Sequence, residues 1–394
     1  MPRNVEALRL SLGVLAHSRK ENERRLPIHP AHFRKIAPQL LDRIFLEHGY
    51  GESFGVSDRE LAGLVGGIRT RAQLIADCDV VLLPKLQASD LTDMRVGQII
   101  WGWAHCVQDP ALTQVAIDRR LTLVAFEAMN HWQADGGFGL HVFHKNNELA
   151  GYCSVLQALE LAGSTGSYGR RLRAVVIGFG ATARGAITAL NAHGVDDVRV
   201  LTNREVAAVG SPIHSTQILQ MGHTTAVPIK TWAETPEGPV PMAKVLSEND
   251  IIVNCVLQDP DAPLIFLTES DLSVFARGTL IVDVSCDEGM GFSWARPTSF
   301  TEPAFMVGAG VRYYAVDHSP SYLWDSATWE ISDALLPHIE IVLSGPAAWG
   351  ENPTIARSIE IRDGVIQNPG ILTFQGRGES YPHAVHEASA RVGA

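Results

Sequence analysis

Residues 173–187 read RAVVIGFGATARGAI, and this stretch decides the fold. A β-branched run from Arg173 to Ile177 stops at Gly178, and small helix-favouring residues begin at Ala181. Gly178 permits a tight turn, Gly180 lets the backbone approach a pyrophosphate, and the small Ala183 permits close packing of helix on strand. The start of the helix then offers unpaired N–H groups to an anion. An ordinary glycine-rich β–α turn shares the pattern, so the weight rests on its place between strand and helix. That place predicts a dinucleotide site. The next strand of such a unit ends about 20 residues on, where an acid would hold the ribose hydroxyls of NAD. Here the stretch is VLTNR, 200–204, with no acid at the strand end. Thr202, Asn203 and Arg204 are expected at the ribose, with Arg204 placed to meet a 2′-phosphate. NADP(H) is therefore favoured, with NAD(H) the alternative; a solvated loop charge is the plain reading of Arg204.

Outward from this unit, short β-rich runs alternate with helical patterns, as parallel sheets with crossover helices require. Strands are expected at 10–15, 44–47, 80–83, 99–103 and 122–125, with helices at 31–41, 58–64 and 110–118. A long apolar helix over 147–162 leads into GSTGSYG, 163–169, a flexible joint. A second series follows, with strands at 173–177, 198–201, 251–254 and 280–284; the tail reads as a helix at 327–344 and a hairpin at 359–366. The expected fold is α/β, two Rossmann-like doubly wound parallel-sheet domains with a cleft between them. Residues 1–145 with 318–394 would form a substrate domain, to which the tail returns, and 146–317 the dinucleotide domain.

Composition agrees with that class. A chain of 394 residues suggests two domains at about 100–200 residues each, and 46% hydrophobic residues can fill their cores. The net charge of -11 argues against nucleic acid or an anionic membrane as partner. No run of about 18 uncharged apolar residues offers a membrane span, and the N-terminus lacks the plan of a signal peptide. Five scattered cysteines without a C-x-x-C pair point to free thiols in a reducing, cytoplasmic setting, with no zinc or other metal site.

Ligands of open parallel sheets bind beyond the carboxyl ends of the strands. Three basic groups fall there: Arg25 in ERRLPIHP (23–30), Lys85 closing LLPK (82–85) and His105 closing IIWGWAH (99–105). Each alone is more often a structural or solvated residue. Together they suit an α-keto or α-amino acid, since a guanidinium can clamp a carboxylate, a lysine can polarise a carbonyl, and an imidazole titrates near neutrality. A lysine held among cations and partly buried is expected to give up its proton more readily.

These motifs resemble the alanine dehydrogenase / saccharopine dehydrogenase superfamily. The likeness continues through NNELAGYCSV (146–155), DIIVNC (250–255), LIVDVSCD (280–287) and DHSPS (317–321), in the family's order. Two branches look closest. AHC, VDVS and DHSPS are similar to lysine-forming saccharopine dehydrogenase, while ERRLP, GWAH and AGYCSV resemble carboxyethylornithine synthase, an opine-forming enzyme that uses NADPH. The resemblance implies that Arg25 binds the substrate carboxylate, Lys85 is the catalytic lysine and His105 the general acid/base. It places Asp287 near the nicotinamide and Glu127 near the lysine–histidine pair. Leu86 stands where saccharopine dehydrogenases have an acid, so tuning of Lys85 differs. The DHSP turn replaces an asparagine-bearing turn of alanine dehydrogenases, which disfavours simple alanine.

The reaction expected is an NAD(P)-dependent one on the CH–NH group of amino acids, reductively condensing a 2-oxo acid with an amino acid, or its reverse. Alanine dehydrogenase-type amination with ammonia is one alternative. A non-catalytic dinucleotide sensor is another. The partners implied are a small-molecule amino acid and a 2-oxo acid, and a homo-oligomer is among the assemblies open to the chain.

Overall fold

The computed structural model describes residues 10–203, 216–224, 229–258 and 262–386. Arg204 lies outside the described residues. The chain divides into two compact units, one formed up to His144 and again from Trp324, the other Lys145–Leu323.

The first unit is built on one sheet. Its parallel strands lie in the order Gly67–Arg69, Ile44–Glu47, Leu12–Val14, Val80–Lys85, Ile99–Trp103, Thr122–Ala125. This is the doubly wound order, and it reverses direction between Leu12–Val14 and Val80–Lys85. The strands are apolar on both faces because helices cover both. Val80 and Leu82 pack with Ile331, Leu335 and Ile339 of the helix Trp324–Leu343. Val81 and Leu83 pack with Leu112, Ala116 and Ile117 of the helix Pro110–Asp118. The tail completes the sheet: Ile359–Arg362 pairs antiparallel with Thr122–Ala125, and Val365–Ile366 pairs antiparallel with it in turn.

The second unit repeats the plan. Thr216–His223, Asp197–Thr202, Arg173–Ile177, Ile251–Asn254, Leu280–Asp283 and Val311–Tyr314 run parallel in that order. Antiparallel strands extend both edges: Thr231–Thr235 and Gly238–Pro241 on one side, Ala304–Val307 on the other. The reversal falls between Arg173–Ile177 and Ile251–Asn254, beside the glycine turn.

One expected helix is broken. Residues 31–41 form a 3-10 turn, Pro30–Lys35, and a separate short helix, Pro38–Leu41. Ile36 and Ala37 between them are extended, at ψ 139° and 135°. Pro38 is the cause, since its ring disfavours helical backbone in the residue before it. Two pieces of antiparallel sheet stand outside the strands expected from sequence: the edge pair Thr231–Thr235 with Gly238–Pro241, and the hairpin Asn130–Trp132 with Phe138–His141, where the stretch GGFG, 136–139, reads equally as a mobile loop or a hairpin turn. These strands are short and bury a single residue, Ala233, so no apolar alternation marks them.

Candidate active site

The strand Val80–Lys85 carries Pro84, which cannot donate to a ladder. It is accommodated by a bulge: Leu82 lies opposite Trp101 and Lys85 opposite Trp103, so Leu83 and Pro84 together face Gly102. Gly102 is required there. A Cβ on it would lie 1.9 Å from the Leu83 carbonyl oxygen. The bulge sets the direction of half-buried Lys85, whose carbonyl accepts from Ser18 Oγ at 2.6 Å. That bond ties the loop after the first strand to the end of the fourth, across the point where strand order reverses.

The next strand ends at Trp103, and His105 follows with a left-handed φ of 48°. A non-glycine residue in this region is held by its surroundings. Here the holder is Glu127, on the single 3-10 turn Phe126–Ala128 after the third strand of the group. Its carboxylate accepts from Ala104 N at 3.3 Å and, more closely, from His105 N. The Glu127 carbonyl takes a hydrogen bond from His141 Nε2 at 3.2 Å; His141 Nδ1 accepts from Phe143 N at 3.0 Å, which puts the proton on Nε2. Burial raises the Glu127 carboxyl from 4.5 to about 7, helped by the negative charge of Glu360 and opposed by the backbone donors and by Lys85.

Arg25 is 5% exposed, with its guanidinium 5.1 Å from the centre of the Trp103 ring. It is also paired with Glu23: Nε to Oε1 at 2.8 Å, Nη2 to Oε2, and the Arg25 backbone N to Oε1 at 3.0 Å. The clamp expected from sequence is thus a held cation rather than a lone one. Glu23 fixes its plane and was not singled out as a site residue, although it stands in the same motif. Trp103 packs its other neighbours, Phe126 and Phe143, in the core. Arg25, Lys85, His105 and Glu127 therefore gather at the carboxyl ends of the first, fourth, fifth and sixth strands of one sheet.

Gly178, Gly180, Ala183, Thr202, Asn203 and Asp287 belong to the other unit. Gly178 has φ 97°, and its N–H donates to Leu201 O at 2.7 Å. Gly180 is the N-cap of the helix Ala181–Ala192, with no side chain capping it and nothing within 4 Å of where a Cβ would stand. Uncapped N–H groups beside open space fit the diphosphate of a dinucleotide. Ala183 is fully buried, and the tightest approach is made by Gly185, where a Cβ would meet Glu148 O at 1.7 Å. Gly151 on the helix His144–Ala162 matches it, since a Cβ there would lie 1.9 Å from Thr182 O, so each helix uses a glycine where the other's backbone crosses it. Thr202 is buried at its strand end and Asn203 is exposed.

Asp287 is half-buried at the end of a turn built around Asp283. Asp283 Oδ1 accepts from Asn254 Nδ2 at 2.9 Å and Cys286 N at 3.0 Å, and Oδ2 from Tyr313 OH at 2.6 Å. Those bonds hold Cys286 at φ 44° and so set the course of the chain into Asp287. Burial raises Asp283 from 3.8 to about 6 against the pull of its three donors. Sequence reading passed over this trio because its members stand far apart along the chain.

No disulfide joins any of the five cysteines, all of which are buried, and among the described residues no group of His, Cys, Asp and Glu is arranged to hold a metal ion. Nor is any described helix long and apolar enough to cross a membrane.

Comparison with known proteins meets this geometry at both units. The family model of the alanine dehydrogenase/PNT N-terminal domain matches residues 13–150, and that of the C-terminal domain matches 161–369. The chain belongs to the alanine dehydrogenase/PNT family. Within it, the chain is 24% identical to N(5)-(carboxyethyl)ornithine synthase of Lactococcus lactis over 80% of its own length and 91% of that protein. It is 26% identical to alanine dehydrogenase of Mycobacterium tuberculosis over 93% of its length and 97% of that protein. A solved L-alanine dehydrogenase superposes with a TM-score of 0.71 at 19% identity, covering 93% of this chain and 99% of the other. A transhydrogenase from Sinorhizobium meliloti gives 0.65 at 17% identity, over 91% and 99%. These likenesses establish the two-domain α/β fold with parallel sheets. The family is of the amino-acid dehydrogenase type, so this member is an oxidoreductase with a dinucleotide-binding fold.

Proposed function

We propose that this oxidoreductase acts on the CH–NH group of amino acids with NADP(H), joining a 2-oxo acid to the amine of an amino acid, as opine- and saccharopine-type enzymes do, or running the reverse. The observation that carries the reading is the gathering of Lys85, His105 and Glu127 at neighbouring strand ends, with Arg25 braced on Trp103 beside them. Likeness to a carboxyethylornithine synthase supports the condensing form. The absence of an acid at Thr202–Asn203, followed by Arg204, supports the phosphorylated cofactor.

In this scheme Arg25 binds the substrate carboxylate, and Glu23 keeps the guanidinium in its plane. Lys85 in its neutral form takes a proton from the attacking amine. His105 gives a proton to the carbinolamine oxygen, so that water leaves and a protonated imine remains. The Gly178–Gly180 turn and the start of the helix Ala181–Ala192 would hold NADPH, which would supply hydride to the α-carbon of the protonated imine. Asp287, on its braced turn, is the residue of the nucleotide unit assigned to the nicotinamide. Five buried cysteines without a disulfide fit a reducing, cytoplasmic setting.

The test is a cofactor-coupled screen crossing amino acids and ammonium with 2-oxo acids, run with NADPH and with NADH. Oxidation of NADPH that needs both an amino acid and a 2-oxo acid is expected. Turnover with ammonium alone would replace the reading by alanine dehydrogenase-type amination. Cofactor binding without turnover across the whole panel would leave a non-catalytic sensor.

A further inference from the structure

Glu360 comes from the returning tail, far from every motif that marks the site. The strand Ile359–Arg362 pairs Ile359 with Val124 and Ile361 with Leu123, so Glu360 is the extra residue of a bulge. Bulges re-aim the side chain they carry. The paired strand, Thr122–Ala125, leads directly into Glu127, and Ala125 N donates to Ser358 O at 2.8 Å. Glu360 is only 6% exposed. Its carboxylate is held by one neutral group, Asn368 Nδ2, at 3.1 and 3.0 Å from its two oxygens. Among the described residues no cation lies at ion-pair distance from it. A carboxylate buried on such terms is costly, and packing alone does not call for one.

The charged and titratable groups facing this spot come from several elements. Glu127 and Lys85 act on each other; Cys106 feels both Glu127 and Glu360, with Asp109 beyond; His141 bonds the Glu127 backbone. We propose that Glu360 is a positioning residue of the active site, whose carboxylate governs the charge of Glu127 and, through it, proton exchange at Lys85. Two carboxylates in one buried site do not both ionise freely. An ionised Glu127 pins Lys85 as an ammonium; a neutral one leaves it able to act as a base. Glu360 holds the balance toward the neutral form. Burial raises Glu360 itself above the ordinary range, and the Asn368 amide opposes that rise. This inference rests on the roles proposed above for Lys85 and Glu127.

The experiment is a carbon-13 titration of the full chain carrying labelled glutamate, with Glu127→Gln used to assign the Glu127 signal. In Glu360→Gln the Glu127 midpoint is expected to fall by about one pH unit, and Glu360→Asp should keep it near the parent value. Asn368→Ser keeps a capping hydroxyl for the helix Pro369–Gln375 but withdraws the amide from Glu360, so it should lower the midpoint as well. A midpoint unmoved or raised in either the Gln or the Ser variant overturns the proposal. Because the titration reads the protein without substrate, it succeeds or fails independently of the substrate screen. Where the screen finds turnover, the acidic limb of kcat/KM, set by loss of the proton from Lys85, should move up in Glu360→Gln, because a Glu127 ionised at lower pH holds the ammonium; a limb that stays put or moves down counts against the link to Lys85.

Discussion

Gly102→Ala is the change that most directly tests how the site is held. The new methyl would lie 1.9 Å from Leu83 O and 3.1 Å from Leu83 C, where ordinary contact begins at 3.4 Å. The two strands must therefore part by about 1.5 Å, or the bulge must unfold. Overpacking of this kind costs about 1–3 kcal/mol. Lys85 lies two residues beyond Leu83 on the strand that has to give, and a displacement of about 1 Å at a reacting group costs on the order of 100-fold in rate. Urea denaturation and kcat/KM should both fall. Gly350→Ala is the control, because nothing lies within 4 Å of its Cβ position and its φ of -61° suits alanine. A Gly102→Ala protein as stable and as active as the control would refute the account of the bulge.

Four further outcomes follow from the same structure. Lys85→Met should lower turnover by about 10²–10⁴, and full turnover would remove the lysine from the chemistry. Glu127→Gln should change stability with a definite sign. Below pH 4.5 Glu127 is protonated in folded and unfolded chains alike, and as pH rises through about 7 the folded state resists ionisation and loses stability. That difference corresponds to about 3 kcal/mol, reduced to about 2 by the partial exposure of the residue, so the glutamine variant should gain about 2 kcal/mol on the parent between pH 4 and pH 8. A difference in urea stability that stays flat with pH would contradict it. Gly185→Ala sets a methyl 1.7 Å from Glu148 O and should lower both thermal stability and NADPH affinity, the latter read by fluorescence titration. Arg204→Ser should reduce the NADPH-over-NADH preference in kcat/KM by about tenfold or more; an unchanged ratio would return Arg204 to the status of a loop charge.

Much of the architecture was legible because the signals are local. Ile44–Glu47, Ile99–Trp103, Thr122–Ala125, Arg173–Ile177 and Ile251–Asn254 have the bounds their apolar runs predict. A strand buried on both faces must be apolar throughout, and a run of that kind needs no partner to be recognised. Where residues answered to something else, the reading stopped. Pro84 made the fourth strand look finished at Leu83, whereas the opposing Gly102 lets it run on to Lys85. The helix over 31–41 failed at Pro38, a local signal outweighed by the apolar spacing around it.

The chain by itself determined which residues would stand at strand ends, since that depends on periodicity and on turns within a few residues. Arg25, Lys85, His105 and the glycine turn at Gly178–Gly180 were placed in this way. Tertiary structure alone decided the company they keep. Glu127 braces the His105 turn, Asp283 gathers Asn254 and Tyr313, and Glu360 arrives from the tail. Those partners are chosen by which strand edges join, and burial then sets the charge each one carries.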